Sequence, residues 1–135
     1  RMVITAMERR GSLLLEDVGF PLPQLAALVR GIERIAAERD VRIAVVAHAG
    51  DGNTHPLIVY DPTDADEAAR ATAAYGDVMA LGISLGGTIT GEHGVGRLKR
   101  SWLEAQLGPD ALALNRRIKD ALDPQGILNP GAVFG

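Results

Sequence analysis

All three histidines of this chain lie in two glycine-rich segments. The first segment reads His-Ala-Gly-Asp-Gly-Asn-Thr-His from His48 to His55, and the second reads Gly-Glu-His-Gly-Val-Gly from Gly91 to Gly96, with His93 inside it. Histidine is the commonest side-chain metal ligand and a frequent acid–base catalyst near neutral pH. The concentration of histidine in these two segments indicates where the chemistry of the chain takes place.

The first segment is typical of a turn between two strands, which would bring its two terminal histidines together. If the imidazoles of His48 and His55 share a face of an antiparallel hairpin, both can reach one ion at ~2.0–2.1 Å. Glu92 is the best candidate for a third ligand, because it lies in the other glycine-rich segment. Two histidines and one carboxylate leave coordination positions open for a substrate.

A simpler interpretation of the same residues stays open at this point. His48 and His55 could be polar hairpin residues that bond to backbone carbonyls, and Glu92 could be a solvated loop acid. Asp51 and Asn53 are ordinary turn formers. Arg97, Lys99 and Arg100 are typical of a solvated helix start, although one of them could meet a substrate carboxylate.

Other glycine-loop chemistries do not fit the sequence. No Gly-x-Gly-x-x-Gly follows a strand, and no glycine-rich run ends in Gly-Lys-Ser or Gly-Lys-Thr, so a phosphate-binding loop is excluded. Neither segment contains the Gly-x-Ser-x-Gly turn of a serine hydrolase.

The elements around these segments follow from hydrophobic spacing and from turn residues. We expect a strand over 13–18, a helix opened by Pro21 and Pro23, strands over 41–47 and 56–60, a helix over 64–81 capped by Asp64, a short strand around 88–90, and helices over 99–106 and 110–122, the last capped by Asp110. The loop of about six residues between the two middle strands is too short for a parallel crossover. The order therefore predicts an α+β fold: a ferredoxin-like antiparallel sheet with helices on one face, followed by a C-terminal helical segment.

Composition narrows the class of protein. The chain has 135 residues, 47% of them apolar and 23% charged, which fits one soluble domain over 1–135. The formal net charge of −3 and the 4% aromatic content argue against a nucleic-acid surface. No apolar run approaches the ~20 residues of a membrane span. The absence of cysteine fits a reducing, cytoplasmic compartment. Because the chain begins Arg1-Met2, we expect a piece of a longer protein rather than a native domain with an altered start.

Three motifs in the right order carry a resemblance to a known family. They are His48-Ala-Gly-Asp-Gly-Asn-Thr-His55, Gly91-Glu-His-Gly-Val-Gly96 and Asp123-Pro-Gln-Gly-Ile-Leu-Asn-Pro-Gly131. With them the chain resembles the C-terminal part of the FAD-linked oxidases of the vanillyl-alcohol oxidase superfamily. It is most similar to the group that contains D-lactate dehydrogenase, glycolate oxidase and D-2-hydroxyglutarate dehydrogenase.

The resemblance implies a substrate and metal (cap) domain that packs on an N-terminal FAD-binding domain absent from this chain. It implies oxidation of a small D-2-hydroxy acid, with the hydride passing to the flavin. Electrons would then pass from the reduced flavin to an electron-acceptor protein or a quinone. It assigns a divalent metal, usually zinc, to His48, His55 and Glu92, and it makes His93 the base that takes the hydroxyl proton. Asn129 falls where the C-terminal segment of the family returns towards the flavin.

One position departs from part of this group. Where the hydroxyglutarate enzymes have a lysine before the acidic pair, this chain has Leu15, which favours a smaller or more apolar acid such as lactate or glycolate. Two other functions stay open from the sequence. One is a non-catalytic assembly subunit that docks on a separate flavoprotein. The other is a metal-free member of the same superfamily. For each kind of protein the expected location is cytoplasmic, with association to a membrane possible through its partners.

Overall fold

The computed structural model describes residues 2–134 of the chain. The fold divides into two compact units, Arg1–Glu92 and His93–Gly135. The first unit contains α1 (Met2–Glu8), β1 (Ser12–Leu15), β2 (Val18–Gly19), a 3₁₀ turn (Leu22–Gln24), α2 (Leu25–Arg39), β3 (Arg42–His48), β4 (Asn53–Tyr60) and α3 (Ala65–Ser84). The second contains α4 (Arg100–Leu107) and α5 (Pro109–Leu122).

The sheet of the first unit is antiparallel around the central strand β4. Strand β3 pairs with one edge of β4, and β1 and β2 follow each other along the other edge of β4. On the edge of β2 that faces away from β4, Gly19 forms an isolated bridge with Thr88. This order is that of the split βαβ arrangement, with the last strand reduced to one bridge. The predicted α+β fold is therefore confirmed, whereas the short strand expected around 88–90 is a single bridge.

The first predicted strand is interrupted at Glu16 and Asp17. The register is the same on both sides of the break, because Leu15 faces Leu57 and Val18 faces Thr54. Pro56 has no N–H to donate, so the ladder loses a hydrogen bond there. The remaining bond, from the Glu16 N–H to the Pro56 carbonyl, is 3.4 Å long. The continuous register places Asp17 opposite His55.

Helices α2 and α3 pack against each other and against the sheet. Gly82 of α3 lies against the side chain of Val18, so these helices are on the face of the sheet that carries Val18. The apolar residues of this interface are almost fully buried: Leu28, Ile32 and Ile35 of α2, and Ala71, Ala74, Val78 and Met79 of α3. Asp64 caps α3 as predicted, because its carboxylate accepts the backbone N–H groups of Asp66 and Glu67.

The second unit contains the two predicted short helices. The predicted cap of the second helix is wrong: α5 begins at Pro109 after Gly108, and Asp110 lies inside the first turn. Proline is preorganised for the first helical position, which moves the helix start ahead of Asp110. An apolar stripe of α5, formed by Leu114, Ile118 and Leu122, is exposed. Among residues 2–134, none of the helices is both long enough and apolar enough to cross a bilayer.

Candidate metal centre and its surroundings

The β3–β4 hairpin places both of its histidines on one face of the sheet. His48 pairs with Asn53 and His55 pairs with Val46, so the two imidazoles occupy diagonal positions. This face lies opposite the one that carries Val18, which packs on α3. The imidazole centroids are 5.2 Å apart with an interplanar angle of 87°. The predicted shared face is thus present, although the loop has four residues, 49–52, because both strands extend further than expected.

The turn between the histidines is held by hydrogen bonds within the turn itself. The His48 carbonyl accepts the N–H groups of Asp51 and Gly52, and the Asp51 carboxylate accepts the Asn53 N–H at 2.9 Å. Gly52 has φ of +81°, and a Cβ at this position would lie 2.3 Å from the carbonyl oxygen of Phe20. The turn therefore needs glycine for both its conformation and its close approach to the chain after β2.

Glu92 completes the cluster that the sequence predicted. One of its carboxylate oxygens lies 3.1 Å from Nε2 of His55 and 3.6 Å from Nε2 of His48. One donor atom from each of the three residues lies within 4.8 Å of the others. Ligands at ~2.0–2.1 Å in a tetrahedral arrangement are separated by about 3.3 Å, so this donor set fits a small divalent ion.

The three candidate ligands differ in exposure. The side chain of His55 is only 11% exposed, whereas those of His48 and Glu92 are 57% and 55% exposed. One imidazole is therefore fixed within the sheet, while the other two donors border solvent. Such a site holds its ligands on one side and leaves room for a small molecule on the other.

Asp17 is a site residue that the sequence reasoning did not identify. Its side chain is fully buried, and one carboxylate oxygen, Oδ2, accepts the backbone N–H groups of Gly91, at 2.7 Å, and of Glu92. The acidic pair before β2 was the available signal, but the sequence does not show that this pair reaches a loop more than seventy residues away.

Burial raises the pKa of Tyr75, and the negative charges of Glu16 and Asp17 raise it further.

A cleft of about 490 Å³ opens beside Glu92. Five of its eleven lining residues are glycines, and its ionisable side chains are the two carboxylates of Asp51 and Glu92. Asn53 also lines this cleft and is 8% exposed. Its carboxamide oxygen has no hydrogen-bond partner within the part of the chain that the structure describes.

The two remaining predicted site residues belong to the second unit. His93 is its first residue, and its side chain is exposed. Asn129 is exposed in the C-terminal turn, with φ of +49°. Their roles as base and as flavin contact stay predictions.

The basic residues of the second unit hold its C-terminal segment. Arg97 donates to the carbonyl of Pro130 at 2.7 Å, and Arg100 donates to the carbonyl of Gly131 at 2.9 Å. Both arginines are exposed, whereas Lys99 is buried. The two arginine side chains thus secure the segment that contains Asn129.

The fold and this donor set can be compared with known proteins. The family model of the FAD linked oxidases, C-terminal domain, matches residues 1–133. The chain belongs to this family, whose FAD-linked oxidases are oxidoreductases, and the resemblance inferred from the three motifs is confirmed.

Individual relatives agree with this membership. The chain is 41% identical, over 135 residues, to the glycolate oxidase subunit GlcD of Bacillus subtilis, and 43% identical, over 115 residues, to that of Escherichia coli K12. It is 39% identical, over 129 residues, to the mitochondrial D-lactate dehydrogenase (cytochrome) of Arabidopsis thaliana. These matches cover 99%, 85% and 96% of the chain. They cover only 29%, 23% and 23% of the relatives, so the chain spans less than a third of their length.

Proposed function

We propose that this chain is the substrate and metal domain of an FAD-dependent D-2-hydroxy-acid dehydrogenase or oxidase that acts on a lactate-like or glycolate-like acid. The observation that carries the proposal is the convergence of His48, His55 and Glu92 on one face of the sheet, with donor atoms within 4.8 Å. The names of the relatives, glycolate oxidase subunit and D-lactate dehydrogenase, support the substrate class.

The charge of the cleft favours a metal at this donor set. A 2-hydroxy acid is an anion at neutral pH, and the ionisable side chains of the cleft wall are carboxylates. Two like charges at close range disfavour binding, so an anionic substrate needs a cation beside Glu92. His48, His55 and Glu92 would hold this ion, which we propose to be zinc. When bound, a divalent ion lowers the pKa of a hydroxyl group that it coordinates.

The residues of this chain would then divide the work of the oxidation. His48, His55 and Glu92 would hold the ion to which the acid binds. An imidazole nitrogen of His93, which follows Glu92 directly in sequence, accepts the proton of the substrate hydroxyl. Hydride acceptance would be the chemistry supplied by a flavin in the N-terminal domain, and this chain would orient the substrate towards it, with Asn129 near the flavin.

Exposed apolar side chains support a partner domain for this chain. Leu15 and Val46 are 37% and 38% exposed, and both lie on the face of the sheet that carries the histidines. Exposed apolar surface with polar residues at its edge is typical of an interface. We propose that this face packs on an FAD-binding domain, which passes electrons to a protein or quinone acceptor.

Paired histidine variants of the complete flavoprotein test this function. His48→Ala should lose the bound metal and turnover, whereas His93→Ala should keep the metal and lose turnover. Metal analysis by mass spectrometry and D-lactate or glycolate oxidation with an artificial electron acceptor measure the two properties. Wild-type turnover that survives exhaustive chelation would reject the metal, and turnover that persists in both variants would favour the assembly subunit.

The flavin content of the 135-residue chain provides a separate test. Because we assign the pyrophosphate-binding residues to another domain, the purified chain should bind little or no FAD and oxidise no hydroxy acid. Its visible absorption spectrum measures this directly. A stoichiometric flavin spectrum would contradict the division of the cofactor site that we propose.

A further inference from the structure

We propose that Asp17 is a positioning residue that holds Glu92 against the two histidines by fixing the backbone of the loop that carries it. This inference rests on the metal site of the proposed function, because it concerns how one ligand of that site is held. Asp17 contributes no atom to the donor set of His48, His55 and Glu92.

The hydrogen bonds of Asp17 fix the backbone position from which the Glu92 side chain extends. Oδ2 of Asp17 accepts the N–H of Glu92 itself and the N–H of the preceding residue, Gly91. Two bonds from consecutive peptide groups to one oxygen fix the position and the orientation of the backbone at Glu92. Hydrogen bonds that involve a charged group are shorter and stronger than neutral ones.

The location of Asp17 connects this loop to the hairpin. The continuous register of β1 and β2 along β4 places Asp17 opposite His55. One residue therefore lies beside the buried imidazole on one strand and anchors the loop of the carboxylate ligand. The break in the ladder caused by Pro56 leaves residues 16 and 17 outside the regular strand, which makes this contact possible.

Glycine at position 91 allows the loop to come this close. A Cβ on Gly91 would lie 2.2 Å from the carboxamide oxygen of Asn53 and 2.9 Å from its nitrogen. Asn53 is fixed in β4 opposite His48, so the loop is confined between Asp17 and the hairpin. The loop that carries Glu92 is thus held near the histidines by the buried Asp17 carboxylate on one side and by the close packing of Gly91 on Asn53 on the other.

A matched pair of aspartates separates positioning from general stabilisation. Asp64 also accepts two consecutive backbone N–H groups, but it does so at the start of α3. The variants are Asp17→Leu, Asp17→Asn and Asp64→Ala in the full chain. Zinc affinity is measured by calorimetry, coordination by the visible spectrum of bound Co²⁺, and folding by thermal unfolding. Outer partners of metal ligands typically contribute about 10–100-fold in metal affinity.

Asp17→Leu should weaken zinc binding about 10–100-fold and change the Co²⁺ spectrum. Asp17→Asn keeps an oxygen that can accept both N–H groups, although as weaker neutral bonds, and should lose less zinc affinity than Asp17→Leu. Asp64→Ala should lower the unfolding temperature and leave the affinity and the spectrum unchanged. If Asp17→Leu does not fold cooperatively, Asp17→Ser replaces it, because its shorter side chain cannot reach both N–H groups.

Three results would overturn the positioning role while the metal site stands. The first is wild-type zinc affinity and an unchanged Co²⁺ spectrum in Asp17→Leu (or in its Asp17→Ser replacement). The second is an equal loss of zinc affinity in Asp64→Ala, and the third is loss of zinc binding in a folded Asp17→Asn. A different result overturns the proposed function itself: no zinc binding by the wild-type chain, or equal binding by wild type and Glu92→Gln. Failure of the inference and failure of the proposed metal site are therefore distinguishable.

Discussion

Asp17 in the first unit and Asp123 in the second unit are both buried, and each accepts two consecutive backbone N–H groups. Asp17 binds Gly91 and Glu92, which lie 74 and 75 residues away. Asp123 binds Ile127 at 3.0 Å and Leu128 at 3.0 Å, only four and five residues ahead. The same interaction therefore closes a local turn in one case and joins distant segments in the other.

The two carboxylates also differ in their neighbours. Lys119, one helical turn before Asp123, donates to its carboxylate and also to the carbonyl of Leu128, at 2.7 Å. Asp123 thus belongs to a local network that ends α5 and shapes the turn. Asp17 lies beside a candidate ligand, His55, and holds the loop of another. A carboxylate of this kind therefore stabilises the segment to which its two N–H partners belong, which is the turn after α5 for Asp123 and the loop of a candidate metal ligand for Asp17.

Removal of the buried imidazole of His55 should produce the largest loss of zinc affinity in the first unit. His55→Ala should reduce zinc affinity by more than the ~10–100-fold expected for an outer partner, because it deletes a ligand. Calorimetry on the full chain measures this, with Asp123→Ala as the control that should bind zinc like wild type. Zinc affinity that falls equally in both variants would remove the distinction between the two regions.

A methyl group at Gly91 should perturb the site next most strongly. Gly91→Ala places a Cβ 2.2 Å from the Asn53 carboxamide oxygen, so the loop or Asn53 must shift. Overpacking of this kind costs about 1–3 kcal/mol. Thermal and urea unfolding measure the free energy, and the Co²⁺ spectrum reports the displaced Glu92.

Gly50→Ala is the matched control for the Gly91 variant. A Cβ on Gly50 meets no atom within 4 Å, and Gly50 lies in the turn between the two histidines. This variant should unfold like wild type to within about 0.5 kcal/mol. Equal losses in the two alanine variants would show that glycine at position 91 is not needed for close approach.

The C-terminal network should give a smaller, pH-dependent effect. The hydrogen bond from Lys119, together with the N–H groups of Leu128 and Ile127, lowers the pKa of the Asp123 carboxyl group, while burial opposes this shift. Its folded pKa lies below the unfolded value of ~3.9, so its contribution is complete above that value and is lost as pH falls through the folded pKa. Asp123→Asn should flatten the dependence of the unfolding temperature on pH below about 4.

Parallel melting curves of wild type and Asp123→Asn between neutral and acidic pH check this expectation. The difference between the two proteins should shrink as the pH falls. If the difference in unfolding temperature grew towards acidic pH, the pKa of Asp123 would be raised by folding rather than lowered.

The smallest effect is expected at the exposed stripe of α5. Leu122 is 76% exposed, so Leu122→Gln should change the unfolding free energy of the chain by less than about 0.5 kcal/mol. Leu28, which is fully buried in α2, provides the contrast, because Leu28→Ala should cost about 2–5 kcal/mol. Urea unfolding measures both, and a large loss in Leu122→Gln would show that the stripe is covered.

Much of the fold could be predicted from residue types and spacing. The hairpin, the cap of α3 by Asp64 and the order of strands and helices followed from local signals, since strand alternation and capping depend on near neighbours. The start of α5 was placed too late, because Pro109 competes with Asp110 for the first turn. The break of the first strand could not be predicted, because its cause, Pro56, lies on the partner strand.

By itself, the sequence determined which side chains were available for the candidate metal centre and which turn carries two of them. Turn chemistry and the two-residue period of strands are local, so they can be read from neighbouring residues. The tertiary structure alone decided that Glu92 approaches both imidazoles and that Asp17 holds its backbone. Those contacts depend on the order and register of strands far apart in the chain, where burial and hydrogen bonding, not spacing, select the partners.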